Sequence, residues 1–372
     1  MHIGLNGQKL SDKHPAGPEK YTKHIYEALA KVDKTNTYTI YVDQPSDKID
    51  LQISNPNFLI KYVEKDYSWT QYSLARQLLK DKPDIFFTPV HTMPIIRSLK
   101  TKYVGMIHGL EFNFNTDRYP FGGILKGKHE WYVSKFSDAL IVPSNATKNA
   151  ILKTNWGIPF EKITVIEEGV GENFYKRSQE EVSGVKKKYF LKDGYLIFIS
   201  TIQPRKNLPR LIEAFSEALK QLTNKETQLV VVGKLGWAYE DSANAPQKFG
   251  VEKNVKFLGR IPDEDVPALI SGAAAYVNPS LEEGFGLPLL ESMSCGTPCL
   301  VSAIDAHKEL GKDTVKYFDP ENVLDIKNKI LDFYSNGYSE ELVSKALERS
   351  KLYTWENSAI KTLEVFKKVM EK

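Results

Sequence analysis

Two carboxylates flank a glycine-containing turn in the second half of the chain. Glu283 and Glu291 lie eight residues apart, with Gly284 and Gly286 between them and Pro288 at the expected start of a helix. Proline suits the first helical turn, glycine lets a ligand approach the backbone closely, and free N–H groups at a helix start favour an anion. The segment therefore indicates a ligand site, in which one carboxylate binds a ribose diol and the other a second polyol. The alternative is that the segment binds no ligand and is only a strand, a turn and a helix, as in any α/β protein.

Two cations occupy the equivalent place after an earlier strand. Arg205 and Lys206 lie in the sequence TIQPRKN, between a predicted strand and a predicted helix. Positive charge at a helix N-terminus is unfavourable, so a bound anion would explain the pair. Arginine binds a phosphate through two hydrogen bonds, and lysine acts as a point charge. Together with the carboxylate segment, the pair predicts a diphosphate clamp; the alternative is two solvated surface side chains.

The first half of the chain offers weaker candidates. His108 ends a predicted strand, where its side chain would reach a crevice at the edge of a parallel sheet. A single histidine is more often structural, and His91 is a weaker candidate than His108. Gly17 follows the first strand, between Ala16 and Pro18. The chain has neither Gly-x-Gly-x-x-Gly after a strand nor Gly-x4-Gly-Lys-Ser/Thr, which disfavours dinucleotide oxidoreduction and P-loop phosphoryl transfer.

The elements that must position these residues alternate between short apolar runs and helical patterns. Such alternation predicts parallel sheets with right-handed crossovers, and two series of it predict two doubly wound α/β domains. The expected strands are 2–6, 38–42, 58–63, 84–88, 103–107, 139–143 and 163–166 in the first half, and 195–200, 229–232, 255–258, 274–278, 298–302 and 315–318 in the second. The expected helices include 20–32, 68–81, 128–136, 208–221 and 265–271.

The domain boundary is expected near residues 169–175. This gives an N-terminal domain of residues 1–172 and a C-terminal domain of residues 173–353, which begins with a polar stretch at 177–188. A last helix, at 354–372, has one apolar stripe and is expected to pack back onto the N-terminal domain. The stripe consists of Trp355, Ala359, Leu363, Phe366 and Met370.

Composition narrows the class of protein. The chain has 372 residues, 50 Lys+Arg, 47 Asp+Glu, a net charge of +3 and two cysteines. No apolar run reaches the length of a membrane span, and the charge is too balanced for a nucleic-acid-binding face. Two cysteines make no disulfide framework and lack the spacing of a zinc site, so a reducing, cytoplasmic compartment is expected.

Three segments resemble the retaining glycosyltransferases of family 4, which have the GT-B fold. The segment EGFGLPLLESMSCGTP contains the family's Glu-x7-Glu motif, VKFLGRIPDEDVPALISGAAAYVNPS resembles the stretch before that motif, and TIQPRKN resembles the phosphate-binding Arg/Lys segment. The resemblance runs from the first strand to the last helix and is densest in residues 195–320. It implies two Rossmann-like domains facing a central cleft, an N-terminal acceptor domain and a C-terminal nucleotide-sugar donor domain.

The resemblance also implies a role for each candidate residue. Glu291 would bind the nucleotide ribose and Glu283 the donor sugar hydroxyls, while Arg205 and Lys206 would neutralise the diphosphate leaving group. His108 would contact the donor sugar, although Gly109 follows it where the family usually has aspartate. The residues expected to line the sugar and diphosphate are Gly17, Gly284, Phe285, Gly286 and Leu287. Two other departures are Ala16 in place of a glycine, and Glu167-Glu168 where the family often has Pro-Asn.

The expected activity is retaining hexosyl transfer from a nucleotide-diphosphate sugar to a glycan or lipid-linked acceptor. GDP-mannose is the first choice of donor, because family members with TI-x-PRKN often use it. Neither a cofactor nor a metal is expected, since the cations and the helix start would stabilise the leaving group. Other chemistry on this fold (a phosphorylase or an epimerase) and a non-catalytic nucleotide-sugar-binding subunit remain alternatives.

The segment from Tyr119 to Lys135 mixes aromatic residues with lysines. Such a mixture is compatible with peripheral contact with the inner membrane surface or with a lipid-linked acceptor, although a helix and its entry loop would have the same composition.

Overall fold

The computed structural model describes residues 1–12, 17–110 and 120–371, with the side chains of residues 120–126 left out. The chain divides into two compact units. The first comprises Met1–Gly169 with Tyr353–Lys372, and the second comprises Val170–Leu352. The division at Gly169 lies three residues before the expected boundary at 172.

The first unit contains a seven-stranded parallel sheet with the strand order β3-β2-β1-β4-β5-β6-β7. Its strands are β1 His2–Asn6, β2 Thr37–Val42, β3 Phe58–Tyr62, β4 Ile85–Thr88, β5 Lys102–Met106, β6 Ala139–Val142 and β7 Ile163–Val165. Its helices are α1 Gly17–Val32, α2 Ala75–Asp81, α3 Pro120–Phe136 and α4 Asn145–Leu152. A π-helical segment, Trp69–Leu74, leads directly into α2.

The second unit contains a six-stranded parallel sheet with the order β10-β9-β8-β11-β12-β13. Its strands are β8 Leu196–Ile199, β9 Leu229–Val232, β10 Val255–Gly259, β11 Ala275–Asn278, β12 Cys299–Ser302 and β13 Lys316–Phe318. Its helices are α5 Gln179–Lys188, α6 Leu208–Leu219, α7 Glu240–Lys248, α8 Val266–Gly272, α9 Leu287–Ser294, α10 Asp305–Gly311, α11 Val323–Asn336 and α12 Glu340–Ser350. Strand orders of this type define two doubly wound α/β sheets, as the alternating pattern predicts.

The polar stretch at 177–188 is mostly helical. Ser178 accepts a hydrogen bond from the N–H of Glu181, whose side chain in turn caps the backbone of Ser178, so a capping box begins α5. Val182 and Val185 are buried on this helix. Two buried valines and a capping box therefore suffice for an amphipathic helix in this polar stretch.

The last helix, α13 (Trp355–Met370), belongs to the first unit. The Thr354 side chain caps it by accepting a hydrogen bond from the N–H of Asn357. Trp355, Ala359, Leu363 and Phe366 of the predicted stripe pack into the same hydrophobic core as α1 and the first sheet, and the ring of Phe366 lies 5.5 Å from that of Phe87 on β4. Met370 was wrongly included in the stripe: it is exposed, and Val365 and Val369 are buried on this face instead.

Candidate functional site

The candidate cations and one candidate carboxylate follow adjacent strands. In the second sheet, β8 and β11 are hydrogen-bonded neighbours, and the strand order reverses between them. Open α/β sheets bind ligands outside the carboxyl ends of the strands at this reversal point. Arg205 and Lys206 follow β8, and Glu283 follows β11. The topology therefore places all three at the position where a doubly wound domain forms its ligand crevice.

A short turn fixes the two cations in place. Residues Pro204–Lys206 form a 3₁₀ turn that ends at Asn207, whose φ of 57° is left-handed. The Asn207 side chain donates to the carbonyls of Pro279, at 3.0 Å, and Pro320, at 2.8 Å. The N–H of Leu281 donates to the carbonyl of Arg205 at 2.8 Å. The turn after β8 is thus tied to the loop after β11 before any ligand arrives.

Arg205, Lys206 and Glu283 form one buried ionic cluster. The Lys206 Nζ lies 2.6 and 2.7 Å from the two carboxylate oxygens of Glu283. Arg205 Nη1 donates to Glu283 Oε2 at 3.1 Å and to the carbonyl of Glu282 at 2.9 Å. The Ser280 hydroxyl lies 2.7 Å from Glu283 Oε1. Four polar contacts therefore converge on one carboxylate.

Charge balance makes this cluster suitable for an anion. Burial alone would raise the pKa of Glu283, but the positive charges of Lys206 and Arg205 outweigh burial and lower the pKa well below its ordinary value, so the carboxylate stays ionised. The three side chains carry two positive charges and one negative charge. Arginine and lysine are the side chains that bind phosphate groups, so a bound diphosphate suits this place.

The glycine-containing turn leads from Glu283 into α9. Gly286 is the N-cap of this helix and has a φ of 106°, which a residue with a side chain adopts only with strain. Pro288 lies in the first turn of α9, as the sequence predicts. Phe285 is buried, whereas Gly284, Leu287 and Glu291 are partly exposed. This segment begins at Glu283 and therefore continues directly from the ionic cluster into α9.

His307 is a buried neighbour of this turn that the sequence analysis missed. Its Nδ1 lies 3.1 Å from the carbonyl oxygen of Ser302 and 3.0 Å from the hydroxyl oxygen of the same residue. A Cβ atom on Gly286 would lie 3.4 Å from the ring. Burial lowers the pKa of His307 to about 4, so the ring is neutral near pH 7. No spacing links His307 to the glutamate motif, and only the fold brings them together.

The other two candidates belong to the first unit. His108 follows β5, and its Nε2 donates to the carbonyl of Pro89 at 2.8 Å while its Nδ1 lies 3.2 Å from Glu168 Oε1. Protein atoms thus engage both ring nitrogens. Gly17 is exposed at the start of α1, and no described atom lies within 4 Å of the position of an added Cβ. Ala16 lies outside the described residues.

His91, the weaker histidine candidate, supports His108. The backbone N–H of His108 donates to Nε2 of His91 at 3.2 Å, so the His91 ring carries its hydrogen on Nδ1. That Nδ1 lies 3.0 Å from the completely buried carboxylate of Glu130 on α3. Glu130 and Glu168 are therefore two buried acids that sequence reasoning did not assign to this histidine pair.

The sequence contains an Asp-x-Asp pattern at Asp263-Glu264-Asp265. The Asp265 carboxylate accepts hydrogen bonds from Lys188, at 2.6 Å, and from Tyr189, at 2.5 Å. Across residues 1–12, 17–110 and 120–371, no group of three or more His, Cys, Asp and Glu side chains is placed to hold a metal ion.

The two sheets and the cluster at the reversal point define a two-domain protein of the Rossmann-like α/β class. Residues 181–350 match the family described as "Glycosyl transferases group 1", and residues 15–173 match "Glycosyltransferase Family 4". The chain belongs to the group 1 glycosyltransferases of family 4 and has the GT-B fold. This agrees with the family resemblance in the sequence.

Known proteins are similar to this chain in sequence or in fold. The Escherichia coli O-antigen chain mannosyltransferase B is 30% identical over 230 residues, which cover 61% of this chain and 60% of that protein. The Escherichia coli serotype-specific mannosyltransferase WbdA is 28% identical over 251 residues, which cover 65% of this chain and 31% of that protein. The chain thus matches less than two thirds of either relative. The structure of Anabaena HepE in complex with UDP and glucose superimposes with a TM-score of 0.76 at 17% identity, covering 99% of this chain and 100% of that one.

Within the part of the chain that the structure describes, no helix is both long enough and apolar enough to cross a membrane.

Proposed function

We propose that the protein transfers a sugar, with mannose as the first choice, from a nucleotide-diphosphate donor to a glycan or lipid-linked acceptor. The observation that carries this proposal is the buried cluster of Arg205, Lys206 and Glu283 at the reversal point of the second sheet. It combines excess positive charge for a diphosphate with a carboxylate for sugar hydroxyls. The two mannosyltransferases among the relatives support mannose, and GDP-mannose is the donor we would test first.

The hydrogen bonds of Glu283 suggest how a donor enters. An ionised carboxylate has about four acceptor positions, and Lys206, Arg205 and Ser280 already make four contacts with it. For Glu283 to accept a sugar hydroxyl, at least one contact must be released. A diphosphate attracts Lys206 and so releases that contact. In this proposal, the leaving group and the sugar are recognised together, because phosphate binding frees the carboxylate that holds the sugar.

The remaining roles follow from position. The N–H groups at the start of α9, from Gly284 to Leu287, face developing negative charge on the diphosphate, and Glu291 binds the ribose. Arg205 and Lys206 stabilise the leaving group as the anomeric C–O bond breaks, so the proposed reaction needs no metal. We place His108 at the donor sugar. Because both of its ring nitrogens already contact protein atoms, we expect His108 to act through the position of its ring and its backbone, and not through a free ring nitrogen.

Retention of anomeric configuration is part of the proposal. The acceptor hydroxyl attacks the face from which the diphosphate leaves, and a phosphate oxygen takes the hydroxyl proton. Glu283 is paired with two cations and ionised, which suits it to bind hydroxyls rather than to form a covalent glycosyl intermediate.

The test is a transfer assay with GDP-mannose, EDTA and a panel of glycan and lipid-linked acceptors. We expect GDP release that depends on the acceptor, and a product whose new linkage is α by proton NMR. A β linkage would overturn retention. Phosphorolysis or epimer formation without acceptor would favour the other GT-B chemistries. Tight donor binding without transfer or donor hydrolysis would favour a non-catalytic subunit.

A further inference from the structure

Glu130 on α3 is a completely buried acid. Nδ1 of His91 lies 3.0 Å from its Oε1, but no well-aligned hydrogen bond reaches either carboxylate oxygen from the part of the chain that the structure describes. A carboxylate without such bonds is costly to bury, so Glu130 does not pay for itself through stability. Its place beside His91 therefore points to a role in function.

The contacts of His91 define which of its ring nitrogens carries the hydrogen. The backbone N–H of His108 donates to Nε2 of His91 at 3.2 Å, so Nε2 has no hydrogen and Nδ1 has one. The opposite tautomer would place the ring N–H against the N–H of the main chain. A carboxylate oxygen 3.0 Å from Nδ1 attracts the hydrogen to that nitrogen. Glu130 therefore favours the tautomer that the main chain of His108 requires.

His91 joins the turn after β5 to the loop after β4. The same loop accepts a second hydrogen bond from His108, from Nε2 to the carbonyl of Pro89 at 2.8 Å. At the end of β4, the Thr88 hydroxyl accepts from Nδ2 of Asn6 on β1 at 3.1 Å, which ties the base of the loop to the centre of the sheet. Two hydrogen bonds thus hold His108 on an anchored loop, and one of them depends on the tautomer of His91.

We propose that Glu130 is a positioning residue for sugar transfer, which sets the tautomer of His91 and so fixes the main chain at His108. This inference rests on the proposed function, in which His108 contacts the donor sugar through its position. Glu130 acts through His91 and touches no substrate. A small displacement of a group at the reacting sugar is enough to slow a transfer reaction. Because Arg205 and Lys206 belong to the second unit, GDP binding should not depend on Glu130.

Nitrogen NMR of the full chain with isotope-labelled histidine tests the tautomer directly, and His91→Gln identifies the His91 signals. We expect the hydrogen on Nδ1 in the parent chain. Glu130→Gln keeps an oxygen beside Nδ1 and should preserve this state. Glu130→Met removes that oxygen and should show both tautomers. The backbone amide of His108 should then exchange with solvent about 10-fold faster, the equivalent of one hydrogen bond.

Kinetics and melting separate positioning from a merely structural role. Glu130→Met should lower kcat by about 10-fold and leave the affinity for GDP unchanged. Its melting temperature should equal or exceed that of the parent, because an apolar side chain of similar size replaces a buried carboxylate. Glu130→Gln should retain most of kcat. In a His91→Gln background, the amide oxygen can accept from His108 without any tautomer, so adding Glu130→Met should cause no further loss.

Ser134→Ala is the matched control. Ser134 lies one turn further along α3, is completely buried, and has a hydroxyl that makes no hydrogen bond with any described residue. The substitution removes a buried polar atom from the same helix without touching the histidines. The tautomer of His91, the exchange rate at His108 and kcat should all stay as in the parent.

Three outcomes would overturn the proposal. They are a hydrogen on Nε2 of His91 in the parent chain, full kcat in a Glu130→Met variant that shows both tautomers, and a loss of kcat that only matches the unfolded fraction of that variant. A parent chain that transfers no sugar would refute the proposed function. The tautomer and exchange measurements need no transfer, and they would still decide whether Glu130 positions His108.

Discussion

Replacing Glu283 by glutamine removes one negative charge from a buried cluster and keeps the shape of the side chain. Lys206 and Arg205 then remain buried and lose their ion pairs with Glu283. Removing one partner of such a cluster typically costs about 3–5 kcal/mol of folding free energy. The slight exposure of the three side chains places the expected loss near the lower value, about 3 kcal/mol. For a domain of this size, the melting temperature of the second unit should fall by about 6–12 °C.

The same substitution should strengthen binding of the diphosphate. In the parent chain, Glu283 competes with the ligand for Lys206, and glutamine competes less. GDP should therefore bind Glu283→Gln at least as tightly as the parent, and it should restore much of the lost melting temperature. Transfer should fall by about 10–100-fold, because a charge-assisted hydrogen bond to the sugar is lost. The assays are calorimetry with GDP, thermal melting with and without GDP, and turnover of GDP-mannose.

The control is Glu252→Gln, which removes the same charge from an exposed side chain of the second unit. It should melt and turn over like the parent. If Glu283→Gln showed parent-like melting, weaker GDP binding and normal turnover, the competition between carboxylate and diphosphate would be refuted, and with it the role of Glu283.

Three further outcomes are expected. Burial lowers the pKa of His307 from 6.5 to about 4, so between these two pH values the unfolded chain binds a proton that the folded chain does not. The free energy of unfolding should therefore fall by about 3 kcal/mol as the pH drops from 6.5 to 4. Denaturant titrations of His307→Gln should not show this fall. Gly286→Ala forces a side chain into a φ of 106°, which should cost about 1–2 kcal/mol in thermal melts and weaken donor binding, whereas Gly284→Ala, outside the left-handed region, should be milder. Glu168→Gln weakens the contact between this side chain and Nδ1 of His108 and should lower kcat by about 10-fold. Its control, Glu167→Gln, breaks only the ion pair with Lys361 and should leave kcat unchanged.

These results would be contradicted by specific observations. A pH dependence that survives His307→Gln would assign the proton to another group. If the Gly286→Ala variant melted at the same temperature as the parent chain, the left-handed φ of Gly286 would not cause measurable strain for a residue with a side chain. A loss of folding in Glu168→Gln, with kcat unchanged in the folded fraction, would make Glu168 a structural residue only.

Sequence patterns predicted the sheets well because each strand is a short apolar run between polar turns. The strands in the core of both units, such as β4 and β12, are buried along their whole length, which leaves a continuous apolar signal. Apolar runs do not predict the order of the strands in a sheet. The observed order, β10-β9-β8-β11-β12-β13, is what brings Arg205 beside Glu283.

The remaining parts of the site depend on contacts between distant segments. The ring of His307 reaches Gly286 only after β12 and α10 have folded beside α9, and no local spacing encodes that approach. The pairing of His108 with Glu168 joins residues that are 60 positions apart. Helix α5 was missed because its seven charged or polar side chains conceal two buried valines. Sequence reasoning thus proposes candidate site residues but not the residues that contact and support them.

The central claim is that the second unit binds a nucleotide-diphosphate sugar through Arg205 and Lys206. Calorimetric titration of GDP-mannose, UDP-glucose and UDP-N-acetylglucosamine in EDTA tests it most directly. The titrations use the parent chain, the double variant Arg205→Ala/Lys206→Ala, and as a control Lys220→Ala, which removes an exposed lysine just after α6. We predict one clear donor for the parent and the control, and at least ~100-fold weaker binding for the double variant. Equal binding by the double variant, or no binding of any nucleotide sugar by the parent across a wider donor panel, would contradict the claim.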